Sequence, residues 1–226
     1  MVTLKEILFI CASIADNSNI DSPLKYKIYN EQSEKVSVLL TPEQHKTDVL
    51  NGCIEVGQKA LDLNIDPILA IAVGHHESKF IRNIIGGGSI GMLQAIPKYW
   101  CKLETGEDWD SPSQFLWLPI KPRPDKCKKK KVKVNQYMGE DCKVRKCDLV
   151  NCILKVCDLE KAGILALLAN KKKNMREMLF SYNKGYTCNT SKDKDKCIKS
   201  GYRYADSIIS EYKRLNRLSR LQFRVD

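Results

Sequence analysis

Glu77 is the residue of this 226-residue chain whose type and surroundings best suit acid–base chemistry. It follows an apolar run at 68–73 and precedes a glycine run at 86–88, where the backbone can approach a ligand closely. At the mouth of an apolar pocket, desolvation disfavours the charged form of a carboxylic acid and raises its pKa. Such an acid can donate a proton near neutral pH. The alternative is an exposed helix end, where Glu77 pairs with Lys79 or Arg82.

Four short motifs surround or follow this acid. They are Glu77-Ser78-Lys79-Phe80, then Gly88-Ser89-Ile90-Gly91-Met92-Leu93-Gln94 with Pro97, then Ser181-Tyr182-Asn183-Lys184-Gly185, and last Tyr204. With Asp66-Pro67 ahead of them, they resemble the soluble lytic transglycosylase family in kind and in order. The resemblance covers about residues 66–215. It departs from the family where Met92 and Leu93 stand in swapped order and where Ser181 replaces an alanine.

The resemblance implies a mainly α, lysozyme-like fold that cleaves the β-1,4 bond between N-acetylmuramic acid and N-acetylglucosamine. Family members cleave without water and leave a 1,6-anhydromuramyl end. Carried over, Glu77 protonates the glycosidic oxygen and then, as carboxylate, takes the proton of the C6 hydroxyl. A glycosidase usually needs a second carboxylate, and none accompanies the motifs. Asp108 and Asp110 are the nearest downstream acids, and their surroundings favour loop caps. No cofactor is expected.

The resemblance also assigns substrate contacts to six side chains, which are Ser78, Met92, Gln94, Tyr182, Asn183 and Tyr204. Several of them have a structural alternative. The amide of Gln94 would hold the glycine loop, and Asn183 would cap a helix. Met92 and Tyr204 would pack in the core.

A zinc site is not expected at this helix. His75-His76-Glu77 resembles half of a zinc-protease motif, but the second histidine would fall at position 80, which is Phe80. His45 is the remaining histidine of the chain. His75 and His76 are therefore expected beside the cleft, where they tune Glu77 or touch sugar.

The composition is that of a globular, basic protein. It has 43% hydrophobic residues, and 38 Lys and Arg against 27 Asp and Glu give a formal charge of +11. Much of the excess positive charge lies at 126–133 and 171–173. These lysines are interpreted either as a solvated loop or as an adhesion surface for anionic cell wall. Few aromatic residues flank these runs, so nucleic acid is not expected as a partner. The sequence contains no run of about 18 uncharged apolar residues, so no segment is expected to span a membrane as a helix.

Ten cysteines favour disulfides in an oxidising compartment. Four of them recur every five residues at 142–157, a pattern for which structural zinc and reduced thiols are the alternatives. Cys188 and Cys197 are the expected local pair. Cys53 is interpreted as an ordinary core residue.

The elements that position these groups are mainly helices. Leu4, Ile7, Leu8, Cys11 and Ile14 predict an amphipathic helix, which we favour over a signal peptide. Residues 25–29 predict a short strand or extended arm. Thr41, Pro42 and Gln44 predict a capped helix to about Leu63, with Val49, Cys53, Val56, Ala60 and Leu63 inward.

Asp66 caps the next, buried helix, and Ile90 to Ile96 predict a helical turn ending at Pro97. Further helices are expected from Leu159 to Leu168, Met175 to Tyr182 and Tyr202 to Leu221.

These elements divide the chain into an N-terminal helix and arm at 1–40, a lysozyme-like domain at 41–215 and a tail at 216–226. A Cys/Lys-rich insertion at 101–158 interrupts the domain and includes a possible β-hairpin around Val132, Val134 and Tyr137. Residues 1–40 and 100–158 have no counterpart in the family pattern.

The sequence therefore predicts a peptidoglycan lytic transglycosylase whose partners are peptidoglycan glycan strands. It would act at the bacterial cell envelope, delivered by a phage particle or a secretion apparatus and in contact with their proteins. Two alternatives remain. One is a non-catalytic structural or binding protein of the same shape, and the other is a hydrolytic lysozyme on the same substrate.

Overall fold

A computed structural model of the chain describes residues 2–18, 23–29, 35–82, 84–86, 89–96, 100, 136–138, 143–146, 157–170, 174–184 and 187–222. Several predictions fall outside these residues. They concern Gly88, Pro97, Asp108, Asp110, Val132, Val134, Gly185, the two lysine runs and the cysteines at 142, 147 and 152.

The described chain is mainly helical, as predicted. Its helices are α1 (Leu4–Asp16), α2 (Pro42–Asp62), α3 (Pro67–Ser78), α4 (Leu159–Ala169), α5 (Met175–Lys184), α6 (Thr187–Thr190) and α7 (Lys194–Gln222). Its strands are β1 (Leu24–Tyr29), β2 (Lys35–Leu40), β3 (Ile85–Gly86), β4 (Ser89–Ile90), β5 (Gln136–Met138) and β6 (Val144–Lys146). They form three antiparallel pairs in chain order.

The two helices that lead to Glu77 begin where local chemistry predicts. Thr41 and Gln44 form a reciprocal capping box at the start of α2. The carboxylate of Asp66 accepts the backbone N–H groups of Ile68 and Leu69 at the start of α3. From Pro67 to Gly74 every residue of α3 is buried, as the apolar run predicts.

Helix α1 exists as predicted, but its buried face differs. Leu4 and Leu8 are 46% and 44% exposed, whereas Ile10 is fully buried. The reason is the packing of α1 on α2, where a disulfide joins Cys11 to Cys53. Cys53 is thus buried but bonded, which corrects its interpretation as an ordinary core residue.

The other described cysteines are also in disulfides. Cys188 pairs with Cys197, which confirms the predicted local bridge, and Cys157 is disulfide-bonded too. The described cysteines therefore follow the disulfide prediction.

The segment after α3 is a hairpin loop, so the predicted helical turn from Ile90 to Ile96 is wrong. β3 pairs with β4, and Ile90 forms a bridge with Ala95 across a tight turn. Gly91 and Gln94 have φ values of 83° and 47°, which a helix does not allow. Within the predicted insertion, β5 and β6 pair as antiparallel strands, and Tyr137 lies in β5.

Helix α3 packs against both α2 and α7, so the segment carrying Glu77 lies between two long helices. Helix α7 begins at Lys194, earlier than predicted, and continues past residue 215. Near its end, buried Ser219 donates a hydrogen bond of 2.8 Å to Glu6 of α1. The described helices include none that is long and apolar enough to cross a membrane.

Candidate functional site

Glu77 is the penultimate residue of α3, and its side chain is half-buried. Helix α3 ends there because Lys79 and Phe80 adopt left-handed backbone angles, with φ values of 54° and 60°. The hydroxyl of Tyr204 on α7 donates a short hydrogen bond to Oε1 of Glu77. Burial raises the pKa of Glu77, and the Tyr204 hydrogen bond opposes that rise.

The alternative of an exposed, ion-paired Glu77 does not describe this geometry. Arg82 is paired with Glu55 on α2 instead. Among the described residues, Lys79 forms no ion pair with Glu77. The acid is therefore held by a neutral phenol, and no cation of the described residues forms an ion pair with it.

The ring of His76 packs against Tyr204. The ring centroids are 5.0 Å apart and the planes are nearly perpendicular, while His76 Nδ1 lies 3.3 Å from Oγ of Ser207. Burial, with help from the nearby Lys79 charge, lowers the pKa of His76. Burial also raises the pKa of Tyr204 well above its usual value, so this phenol stays protonated and remains a donor.

Tyr182 fixes the glycine loop beside the acid. It is buried on α5, and its hydroxyl donates to the carbonyl of Leu93 at 2.9 Å. Its ring lies 4.8 Å from that of Trp100. Burial, and secondarily the charge of Glu77, raises the pKa of Tyr182 well above its usual value. Its neighbour Asn183 is exposed, one residue before the end of α5.

The amide of Gln94 is used inside the loop. Its Nε2 donates to the carbonyls of Gly91 at 2.9 Å and Ile84 at 3.2 Å, and its Oε1 accepts from Ser89 at 2.8 Å. These contacts correspond to the loop-holding alternative for Gln94. Both carbonyls also accept a backbone N–H, Ile84 from Gly91 and Gly91 from Gln94, so the amide adds a second hydrogen bond to each.

Ser78 and Met92 join the loop to the core. Buried Ser78 donates from Oγ to the carbonyl of Met92 at 2.7 Å. The side chains of Met92 and Leu93 are 0% and 1% exposed, which corresponds to their core alternative. Their packing is close, because a Cβ added at Gly163 would lie 2.7 Å from Cβ of Leu93.

Motif analysis missed the groups on α7 that lie beyond Tyr204. Glu211 is half-buried and accepts from both Arg214 and His75. The Arg214 guanidinium, followed by His75, lowers the pKa of Glu211 to about 2. Ser207 and Glu211 follow Tyr204 by three and seven residues, so helical spacing places them on the same face. This spacing could have predicted their place near the site.

The described part of the chain contains no cluster of three His, Cys, Asp or Glu side chains that could hold a metal ion. Of the predicted site residues, Glu77 and Tyr204 are in direct contact. Met92 and Gln94 belong to the adjoining loop, to which Ser78 and Tyr182 donate hydrogen bonds. Comparison with known proteins adds no relative, since no protein-family model, curated protein or solved structure matches the chain.

Proposed function

We propose that this chain is a peptidoglycan lytic transglycosylase with a lysozyme-like fold. It would cleave the β-1,4 bond between N-acetylmuramic acid and N-acetylglucosamine and leave a 1,6-anhydromuramyl end. The observation that carries the proposal is the contact between Glu77 and Tyr204. The motif resemblance places this acid and this tyrosine in one cleft, although 127 residues separate them in the chain.

The geometry suits an acid that later acts as a base. A raised pKa extends the protonated form of Glu77 to higher pH, and this form can protonate the glycosidic oxygen as the bond to the muramyl C1 breaks. The carboxylate that results accepts a hydrogen bond from Tyr204, which stabilises it until it removes the proton of the C6 hydroxyl. That oxygen bonds to C1, and Glu77 recovers its proton.

Use of a single carboxylate favours the non-hydrolytic product. Two other buried or half-buried carboxylates of the described chain are engaged elsewhere. Glu211 is paired with Arg214 and His75, and Glu160 lies near Lys59. A hydrolytic enzyme usually needs a second carboxylate, which activates water as a base in an inverting enzyme or attacks the sugar in a retaining one.

The bacterial cell envelope is the proposed place of action, with glycan strands as substrate and delivery by a phage particle or a secretion apparatus. The disulfides support an oxidising environment such as this.

The test is incubation of the protein with purified peptidoglycan, followed by mass spectrometry of the released muropeptides. Anhydromuramyl ends support the proposal. Reducing ends that carry added water would indicate a lysozyme, and no release would favour the non-catalytic alternative.

The matched pair of variants is Glu77→Gln and Glu43→Gln. Glu43 is exposed in the first turn of α2, so the two variants make the same chemical change, carboxyl to amide, at different places. We expect Glu77→Gln to lower release by a factor on the order of 10² to 10⁴ and Glu43→Gln to leave it unchanged. Circular dichroism spectra would verify that both variants fold.

A further inference from the structure

A polar pocket of about 400 Å³ opens between the end of α3 and the middle of α7. It is lined by His75, His76, Lys79, Ser207, Ser210 and Glu211. No step of the proposed reaction uses it. It adjoins the site of Glu77, because the His76 ring that lines it packs edge-on against Tyr204.

The charges of the pocket leave one cation over. Glu211 is ionised, and both of its oxygens accept from Arg214, at 2.7 and 2.8 Å. His75 adds a contact of 3.0 Å to the same carboxylate. Lys79 is exposed and pairs with no described carboxylate. A ligand entering the pocket therefore meets a single ammonium group whose charge the described residues leave uncompensated.

The other polar groups are suited to donate. Ser207 and Ser210 are exposed on the same stretch of α7 and carry hydroxyl groups. Oγ of Ser207 lies 3.3 Å from Nδ1 of His76, and its hydroxyl can donate to a ligand in the His76 tautomer that donates to this oxygen. With one ammonium and two hydroxyls, and with Arg214 already occupied, the pocket matches a group of single negative charge, such as a carboxylate.

Position decides which molecule bears the carboxylate. Ser207 and Ser210 follow Tyr204 by three and six residues, about 4.5 and 9 Å along the helix axis. A group bound there is within reach of a glycan whose bond lies at Glu77. In that polymer the muramyl unit carries the acidic substituent, whereas N-acetylglucosamine carries none.

We propose that the pocket binds a carboxylate of the muramyl substituent, with Lys79 as counter-ion and the hydroxyls of Ser207 and Ser210 as donors. This rests on the proposed function. It adds a contact that distinguishes the two sugars by charge.

The test compares two probes by nuclear magnetic resonance titration of the labelled full chain. N-acetylmuramic acid has a lactyl carboxylate that N-acetylglucosamine lacks. We expect the former to bind roughly 3- to 10-fold more tightly, as for an exposed ion pair with a hydrogen bond, and to shift the amide signals of Ser207 and Ser210. The ratio should fall as salt is added.

Lys79→Gln should bring the ratio close to one without weakening N-acetylglucosamine binding, and Ser207→Ala with Ser210→Ala should lower it. Lys199→Gln, which removes an exposed lysine elsewhere on α7, should leave it unchanged. Equal binding of N-acetylglucosamine, N-acetylmuramic acid and a muramyl tripeptide to the unmodified protein, or affinity ratios that are unchanged in Lys79→Gln, would overturn the inference.

A muramyl tripeptide separates the two sources of the carboxylate, because its lactyl group is amidated and its carboxylates lie on the peptide. Dependence on Lys79 with this probe assigns the peptide, and dependence with N-acetylmuramic acid alone assigns the lactyl group. The binding ratio needs no bond cleavage. A Lys79-dependent ratio in a protein that releases no muropeptide would therefore reject the proposed function alone, and release with equal binding would reject the inference alone.

Discussion

Removal of one hydroxyl, in Tyr204→Phe, should make the ionisation of Glu77 less favourable. Burial raises the pKa of Glu77, and the Tyr204 hydrogen bond is the influence that opposes it. A hydrogen bond to a charged group contributes about 1.5–3 kcal/mol. Since the phenol stabilises the carboxylate more than the neutral acid, most of this free energy is lost from the ionised form. The pKa of Glu77 should therefore rise further.

The assay is a carbon nuclear magnetic resonance titration of the side-chain carboxyl groups. The Glu77 signal is the one that Glu77→Gln lacks. The control is Tyr202→Phe, on the same helix, whose hydroxyl donates to Glu177 at 2.8 Å. It should leave the titration of Glu77 unchanged. A pKa of Glu77 that is unchanged or lower in Tyr204→Phe would refute the reasoning, because the hydroxyl would then not stabilise the carboxylate.

The same change has a consequence for stability. A folded-state pKa above the usual 4.5 gives stability that is present below that pH and is lost as pH rises through the folded value. Tyr204→Phe should extend this loss to higher pH. Urea unfolding should thus show a larger deficit against the unmodified protein at pH 8, about 1.5–3 kcal/mol, than at pH 4, where only a neutral hydrogen bond of about 1 kcal/mol is missing.

Three further changes test other interactions that stabilise the fold, and urea unfolding measures each of them. Replacing Cys11 and Cys53 by alanine opens a 42-residue loop and should cost about 4 kcal/mol, against about 2.6 kcal/mol for the nine-residue loop between Cys188 and Cys197. Equal losses would contradict this. Gly163→Ala should cost about 1–3 kcal/mol, since its Cβ would overlap Leu93. Lys59→Met removes the cation that lies near Glu55, Asp158 and Glu160 and should cost about 1–3 kcal/mol at pH 7.

Features set by neighbouring residues were predictable from the sequence. Thr41 with Gln44 and Asp66 with Pro67 determine helix starts through atoms a few residues apart, and both starts are confirmed. The pairing of Cys188 with Cys197 is of the same kind, because the two cysteines are only nine residues apart in the sequence.

Features set by distant packing were not predictable in this way. Cys11 and Cys53 are 42 residues apart, and only the packing of α1 on α2 selects that partner. The buried face of α1 depends on the same contact, so periodicity alone placed Leu4 and Leu8 on the wrong side. The turn at Gly91 and Gln94 likewise depends on left-handed backbone angles that the apolar pattern of the loop does not reveal.

The side chains of Ser78 and Gln94 form hydrogen bonds inside the protein, so these motif residues support the loop beside Glu77. A carboxyl group keeps a raised pKa only if water is excluded on several sides, and this requires a loop fixed against the end of α3. Ser78 supplies one hydrogen bond to that loop, Gln94 three within it, and Tyr182 one from α5. Motif residues that make no contact with Glu77 thus still determine its environment. The spacing of these residues in the sequence must let their side chains reach the backbone carbonyls of the loop beside the half-buried Glu77.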